Sequence, residues 1–100
     1  MLASGKTLSS SSGSFTISNV GNYSGFIFYG TTDGSSQDGI CSITVPAAMI
    51  STTDKSFVIG NAEDSKIFKV KISSGTMTIT DGGYLGLGIA SSSFGVYGIK

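Results

Sequence analysis

The sequence predicts an all-β domain, an antiparallel β-sandwich of the jelly-roll-like kind with about seven or eight short strands. Three observations lead to this prediction. Apolar residues recur with a period of two along most of the chain, as expected for half-buried strands. Turn residues, mainly Gly, Ser, Asn and Asp, separate these runs at intervals of roughly 8–12 residues. The one segment with helical character, "PAAMIST" at 46–52, is too short to form a stable helix.

The strands of the first half are marked by short apolar runs. "GSFTIS" at 13–18 alternates apolar and hydroxyl residues, which predicts a strand with one buried face. "GFIFYG" at 25–30 is continuously apolar between glycines, and we expect it to be buried on both faces. "ICSITV" at 40–45 alternates again until Pro46 ends the ladder or marks a sheet edge. "SFVIG" at 56–60 is a further short strand.

The second half contains the clearest hairpin, "KIFKVKISSGTMTIT" at 66–80. Its turn is "SSG", where Gly75 can adopt the positive φ that a tight hairpin requires. Lys69 and Lys71 alternate with apolar residues, and threonines alternate in the same way on the second strand. The lysines and threonines should therefore line one solvated face, opposite each other.

The last run, "FGVYGIK" at 94–100, is apolar on both of its faces. We therefore expect an inner strand that is covered on both sides, so that this segment belongs to the core. The predicted core consists of one inward-facing set from each run: Phe15, Ile17, Phe26, Phe28, Ile43, Val45, Val58, Phe68, Val70, Ile79, Leu87 and Val96.

The length and the charge limit the classes of function. One hundred residues predict a single domain over 1–100, which is expected to be either a whole protein or the C-terminal tip of a longer chain. The formal net charge is zero and the chain has no arginine, so it lacks the basic patch of a nucleic-acid-binding protein. No apolar run reaches the roughly 18 residues of a membrane span, which predicts no membrane insertion.

The sequence carries no catalytic motif, and we predict a non-enzymatic protein without cofactor or metal. Histidine is absent, so the single cysteine, Cys41, has no imidazole base and is expected to be buried and unreactive. "SGKT" at 4–7 matches only the end of a phosphate-binding loop, without its first glycine or a preceding strand.

The candidate ligand-binding residues lie around the longest polar connection, "GTTDGSSQDG" at 30–39. Its polar side chains could hydrogen-bond to sugar hydroxyls, and a tyrosine at either side could supply an apolar platform. The alternative is a surface loop with no binding role. The candidates are Tyr29, Asp33, Ser35, Gln37, Asp38 and Tyr84.

The order of four segments resembles the C-terminal domains of tail-fibre, receptor-binding and minor tail proteins of bacteriophages and prophages. Such chains open with an "L-x-S-G" strand, here at 2–5, and continue with a "Y-x-x-F/I" strand, here from Tyr23. They then pass through a "V-P" segment, here at 45–46, and stop at "YGIK" or a close variant, here at 97–100. The resemblance covers nearly the whole chain, although each motif is loose.

This resemblance implies a β-sandwich head that forms a homotrimer at the tip of a virion tail. It implies attachment to a glycan or protein of the bacterial surface, contacts with other tail proteins, and synthesis in the host cytoplasm. The low charge and the positive mean hydropathy of +0.26 independently favour a homo-oligomer. Two alternatives stay open, namely a carbohydrate-binding or adhesin module of a bacterial surface protein and a small virion decoration protein.

Overall fold

The computed structural model describes residues 1–8, 14–31, 40–60, 65–81 and 89–100, and it confirms the all-β antiparallel sandwich. Among these residues, a 3₁₀ turn at Ala47–Met49 lies within the one segment of helical character, "PAAMIST" at 46–52. The strands in chain order are β1 (Ala3–Leu8), β2 (Ser14–Ile17), β3 (Gly25–Thr31), β4 (Ile40–Pro46), β5 (Lys55–Gly60), β6 (Ser65–Ser73), β7 (Thr76–Asp81) and β8 (Ile89–Ile99).

The eight described strands form two four-stranded sheets. The first sheet has the order β1-β8-β3-β4 and the second has the order β2-β7-β6-β5. All neighbouring strands pair antiparallel. In each sheet a strand from the start of the chain pairs with one from its end, β1 with β8 and β2 with β7, which gives the sandwich its jelly-roll-like character.

The β6–β7 hairpin forms as predicted, with a two-residue loop at Ser74 and Gly75. Both residues have positive φ, 52° and 77°, as the central residues of a type I′ turn do. The register then pairs Lys69 with Thr80 and Lys71 with Thr78. The predicted lysine and threonine face is thereby confirmed. The same loop also accepts a hydrogen bond from the Val20 amide at 3.0 Å, which ties it to the chain after β2.

The core between the sheets is built around four phenylalanines with no solvent exposure. The rings of Phe28 and Phe68, from opposite sheets, lie 5.0 Å apart, and Phe94 lies 5.6 Å from Phe68 and 6.2 Å from Phe28. Phe26 extends this cluster, 6.3 Å from Phe28. The sandwich is therefore held together by aromatic contacts that cross from one sheet to the other.

Most of the predicted core is confirmed. The fully or nearly fully buried members are Ile17, Phe26, Phe28, Val45, Phe68, Val70, Ile79 and Val96. Phe15 and Ile43 are partly buried and pack against this core. Leu87 lies outside the described residues.

The prediction that Val58 belongs to the core is wrong, since its side chain is 59% exposed. The β5–β6 register pairs Phe57 with Phe68, so the odd-numbered residues Phe57 and Ile59 point inward and Val58 points outward. The run "SFVIG" is apolar at three consecutive positions, so its alternation does not reveal which face is buried.

The predicted position of the last strand is confirmed in part. β8 is an inner strand between β1 and β3. Its second face is not covered, however, since Tyr97 is 43% and Ile99 37% exposed. Likewise β3 buries Phe26 and Phe28 completely but leaves its outward residues half-buried. A two-layer sandwich covers only the inner face of each sheet, and among the described residues no third layer lies on the outer face of these two strands.

Candidate functional site

The outer face of the first sheet carries an exposed apolar surface, which we call the tyrosine face. Tyr97 lies directly opposite Ile27, and both point outward because their neighbours Val96 and Phe28 are paired and fully buried. The tyrosine face consists of Met1, Ile27, Tyr29, Tyr97 and Ile99. Contiguous exposed apolar surface of this kind marks interaction sites in soluble domains.

The two tyrosine rings pack against each other on the outer face of the sheet. Their ring centroids are 5.6 Å apart with an angle of 37° between the planes. The Tyr29 hydroxyl donates a hydrogen bond to the Met1 sulfur at 3.5 Å, which fixes the far end of that ring. The side chain of Tyr29 is half-buried while that of Tyr97 is more exposed, so Tyr97 offers the larger free surface.

Gly95 is the reason why Tyr29 can lie flat on the sheet. The register places Gly95 directly opposite Tyr29 on β8. A methyl group at position 95 would overlap the Tyr29 ring, including its hydroxyl oxygen. The ring therefore occupies the space that any larger side chain would fill, and it covers the bare backbone of the glycine. This packing, together with the hydrogen bond to Met1, holds the Tyr29 ring against the sheet.

Tyr23 covers a second glycine of β8 from the opposite, inner side of the sheet, because Gly98 pairs with the inward-facing Phe26. A methyl group at Gly98 would overlap the ring of Tyr23, which packs in turn 5.9 Å from Phe26. The Lys100 ammonium lies 5.7 Å from the Tyr23 ring centre, within cation–π range. Ser24 donates from its amide to the Ile99 carbonyl at 2.7 Å and from its hydroxyl at 3.1 Å. These contacts fix the end of β8.

Hydroxyl groups border the tyrosine face on β4. Ser42 lies opposite Tyr29 and Thr44 opposite Ile27, and both are exposed. Neighbouring strands are about 4.8 Å apart, so each hydroxyl lies one strand away from the apolar residue beside it. Each can donate and accept a hydrogen bond. None of the described side chains that point outward from β3, β4 and β8 carries a charge.

The adjacent rings of Tyr29 and Tyr97, bordered by the hydroxyls of β4, are suited to binding an amphipathic, neutral ring such as a pyranose. The C–H face of a sugar can pack on Tyr97 and Tyr29 while its hydroxyls bond to Ser42 and Thr44. Among the described residues no group of three or more His, Cys, Asp and Glu is placed to hold a metal ion.

Of the predicted site residues, the structure places Tyr29 on the tyrosine face. The other predicted site residues lie outside the described residues: Asp33, Ser35, Gln37, Asp38 and Tyr84. The side chain of Cys41, expected to be buried, also lies outside them.

Sequence reasoning missed Tyr97, which was assigned to a covered face. A signal was available, because tyrosine carries a polar hydroxyl and commonly lies at partly exposed positions. The two glycines of "FGVYGIK", Gly95 and Gly98, also provide room on the sheet for large neighbouring rings.

The chain was compared with protein-family models, curated proteins and solved structures, and none of the three comparisons gave a match. In the described part of the chain, no helix has the length and apolar character needed to cross a membrane.

Proposed function

We propose that this chain is a non-enzymatic attachment module of a bacteriophage tail, which binds glycans of the bacterial surface through its tyrosine face. The observation that carries this proposal is the pair formed by the exposed Tyr97 and the half-buried Tyr29, whose ring packs over Gly95 and which Ser42 and Thr44 border on β4. The sequence resemblance to phage tail proteins supplies the biological setting, and the sandwich fold is compatible with it.

Binding at a single tyrosine face is expected to be weak. A sugar ring stacked on two tyrosines with a few hydroxyl contacts corresponds to a Kd on the order of 1 mM, or roughly −4 kcal/mol. In the proposed homotrimer three such faces act on one surface, and the second and third contacts form at high effective concentration. Avidity can then increase the apparent affinity by about 10²–10⁴ without additional contacts in each site.

The module is proposed to work in the virion tail, next to other tail proteins, after synthesis in the host cytoplasm. Its task there requires recognition and no bond cleavage. The described outward side chains of β3, β4 and β8 are uncharged, so the proposed sugar contacts are stacking and hydrogen bonds.

The test is binding of the fluorescently labelled chain to a panel of neutral bacterial surface polysaccharides and to intact cells. Tyr97→Ala should reduce binding at least tenfold, since it removes the more exposed ring. Val58→Ala is the matched control, because Val58 is also apolar and exposed but lies on the other sheet. Equal binding by the two variants, or no binding of the unaltered chain to any glycan or cell, would refute the proposal.

A further inference from the structure

The outer face of the second sheet has a chemistry different from that of the tyrosine face. The registers align Ser14 with Thr80, Thr80 with Lys69, and Lys69 with Ser56, which forms one polar row across all four strands. A second row, directly beside it, runs through Thr16, Thr78 and Lys71. We call the side chains of these two rows the lysine–threonine face.

Both lysines of this face lie next to hydroxyl groups. Every cross-strand partner that the registers give Lys69 and Lys71 is a serine or a threonine, and so is every other side chain in the two rows. The two lysines are half-exposed and two positions apart on β6, which places their backbones about 6.8 Å apart along the strand. Two ammonium groups are therefore presented to solvent side by side, and the side chains paired with them across the strands are hydroxyls.

Of the acidic residues whose side chains the structure describes, Asp54 borders this face. Asp54 directly precedes β5, whose first residue, Lys55, pairs with Val70, so the same antiparallel register extended by one residue places Asp54 opposite Lys71. Asp54 is exposed, and water and salt weaken the attraction between exposed charges. Its carboxylate is therefore expected to compete only weakly with an anionic ligand for Lys71.

From this arrangement we propose that the lysine–threonine face is a second binding site, which takes an anionic polysaccharide lying along β6. The two ammonium groups pair with successive acidic groups of the polymer, and the flanking hydroxyls bond to its sugar hydroxyls. Charge complementarity identifies the partner, because the face presents two cations, Lys69 and Lys71, against one exposed anion at its border, Asp54.

A polysaccharide fits this face better than a nucleic acid does. The described side chains of the two rows include no aromatic ring on which a base could stack, and they include no arginine. Two lysines also supply little of the phosphate neutralisation on which nucleic-acid affinity depends. The abundant hydroxyls, in contrast, match the hydroxyl-rich surface of a sugar chain. The inference is independent of the tyrosine face, which lies on the other sheet.

The test uses the full chain with polygalacturonate, a polymer with one carboxylate per sugar, at low and at physiological salt. Lys69→Gln/Lys71→Gln should weaken binding at least tenfold. The control Lys55→Gln/Lys100→Gln removes the same charge from exposed lysines outside the two rows and should change binding less than twofold. Lys69→Arg/Lys71→Arg should retain binding, which separates loss of charge from loss of the fold. Binding should weaken as salt rises.

Four results would overturn the inference. The first is that polygalacturonate does not bind at low salt, and the second is that Lys69→Gln/Lys71→Gln and the control Lys55→Gln/Lys100→Gln lose the same amount of binding. The third is that uncharged dextran binds as strongly as polygalacturonate. The fourth is that a single-stranded oligonucleotide binds as tightly as polygalacturonate or more tightly. The first two exclude a role for Lys69 and Lys71, the third excludes charge recognition, and the fourth identifies a general polyanion surface. Tyr97→Ala, included in parallel, should leave polygalacturonate binding unchanged, which separates this site from the tyrosine face.

Discussion

Replacing Phe68 with alanine should remove the contact centre of the sandwich. Phe68 has no solvent exposure, and its ring lies 5.0 Å from Phe28, 5.6 Å from Phe94 and 5.9 Å from Phe57. Truncation of a buried phenylalanine costs about 3–5 kcal/mol through lost transfer energy and the cavity that remains. Each of the three ring pairs adds about 0.5–1.5 kcal/mol beyond area burial, which places Phe68→Ala toward the upper end of that range.

The loss should be measured by urea unfolding at 25 °C, followed by far-ultraviolet circular dichroism. A domain of this size has roughly 5–15 kcal/mol of total stability, so the variant should be close to unfolding or already unfolded in water. Val58→Ala provides the control, because Val58 is 59% exposed and its truncation should change stability by about 0.5 kcal/mol or less. A loss below about 1 kcal/mol for Phe68→Ala, or an equal loss for Val58→Ala, would refute the assignment of inner and outer faces.

Three other predictions follow from the first sheet and from the proposed assembly. Deleting Val96–Lys100 should abolish soluble folded protein, because residues 96–99 pair with β3 and Val96 also pairs with β1; a native dichroism spectrum for the truncated chain would contradict this. Gly95→Ala should displace the Tyr29 ring and weaken glycan binding at least fivefold while the fold persists. The control Gly98→Ala, which displaces Tyr23, should weaken glycan binding less, and equal binding by both variants would show that Gly95 has no role in the site. Sedimentation equilibrium at micromolar concentration should give a homotrimer, about three times the 10.2 kDa of one chain, and a monomer that does not associate as concentration rises would count against it.

The fold class was predictable because period-two alternation and turn chemistry are local properties of the sequence. The β6–β7 hairpin illustrates this, since Gly75 and the alternating lysines and threonines determine both the turn and the register. Val58 shows the limit of such reasoning. Where three apolar residues follow one another, only the pairing with the neighbouring strand decides which of them faces the core.

Buried residues outside strands could not be found in this way. Val20 lies in the connection after β2 and Ile50 after the 3₁₀ turn, and both are buried because the chain folds back over the ends of the sandwich. No periodicity indicates such positions. The tyrosine face was only partly predictable for a related reason. Tyr29 was recognisable as an aromatic beside a polar loop, but the approach of Tyr97 depends on the pairing of β8 with β3, which are separated by more than 50 residues.

The central position of β8 also has a consequence for how the chain reaches its native state. β8 is the last described strand to be synthesised, yet it separates β1 from β3, and its pairing with β1 joins Ala3 to Val96. The first sheet therefore cannot close while β8 is still within the ribosome. Contacts between such distant residues give a high contact order and slow folding, typically on the scale of milliseconds to seconds for sandwiches. During translation β1 and β3 each have an unpaired edge, so the nascent chain is prone to pair with other polypeptide chains until β8 emerges from the ribosome.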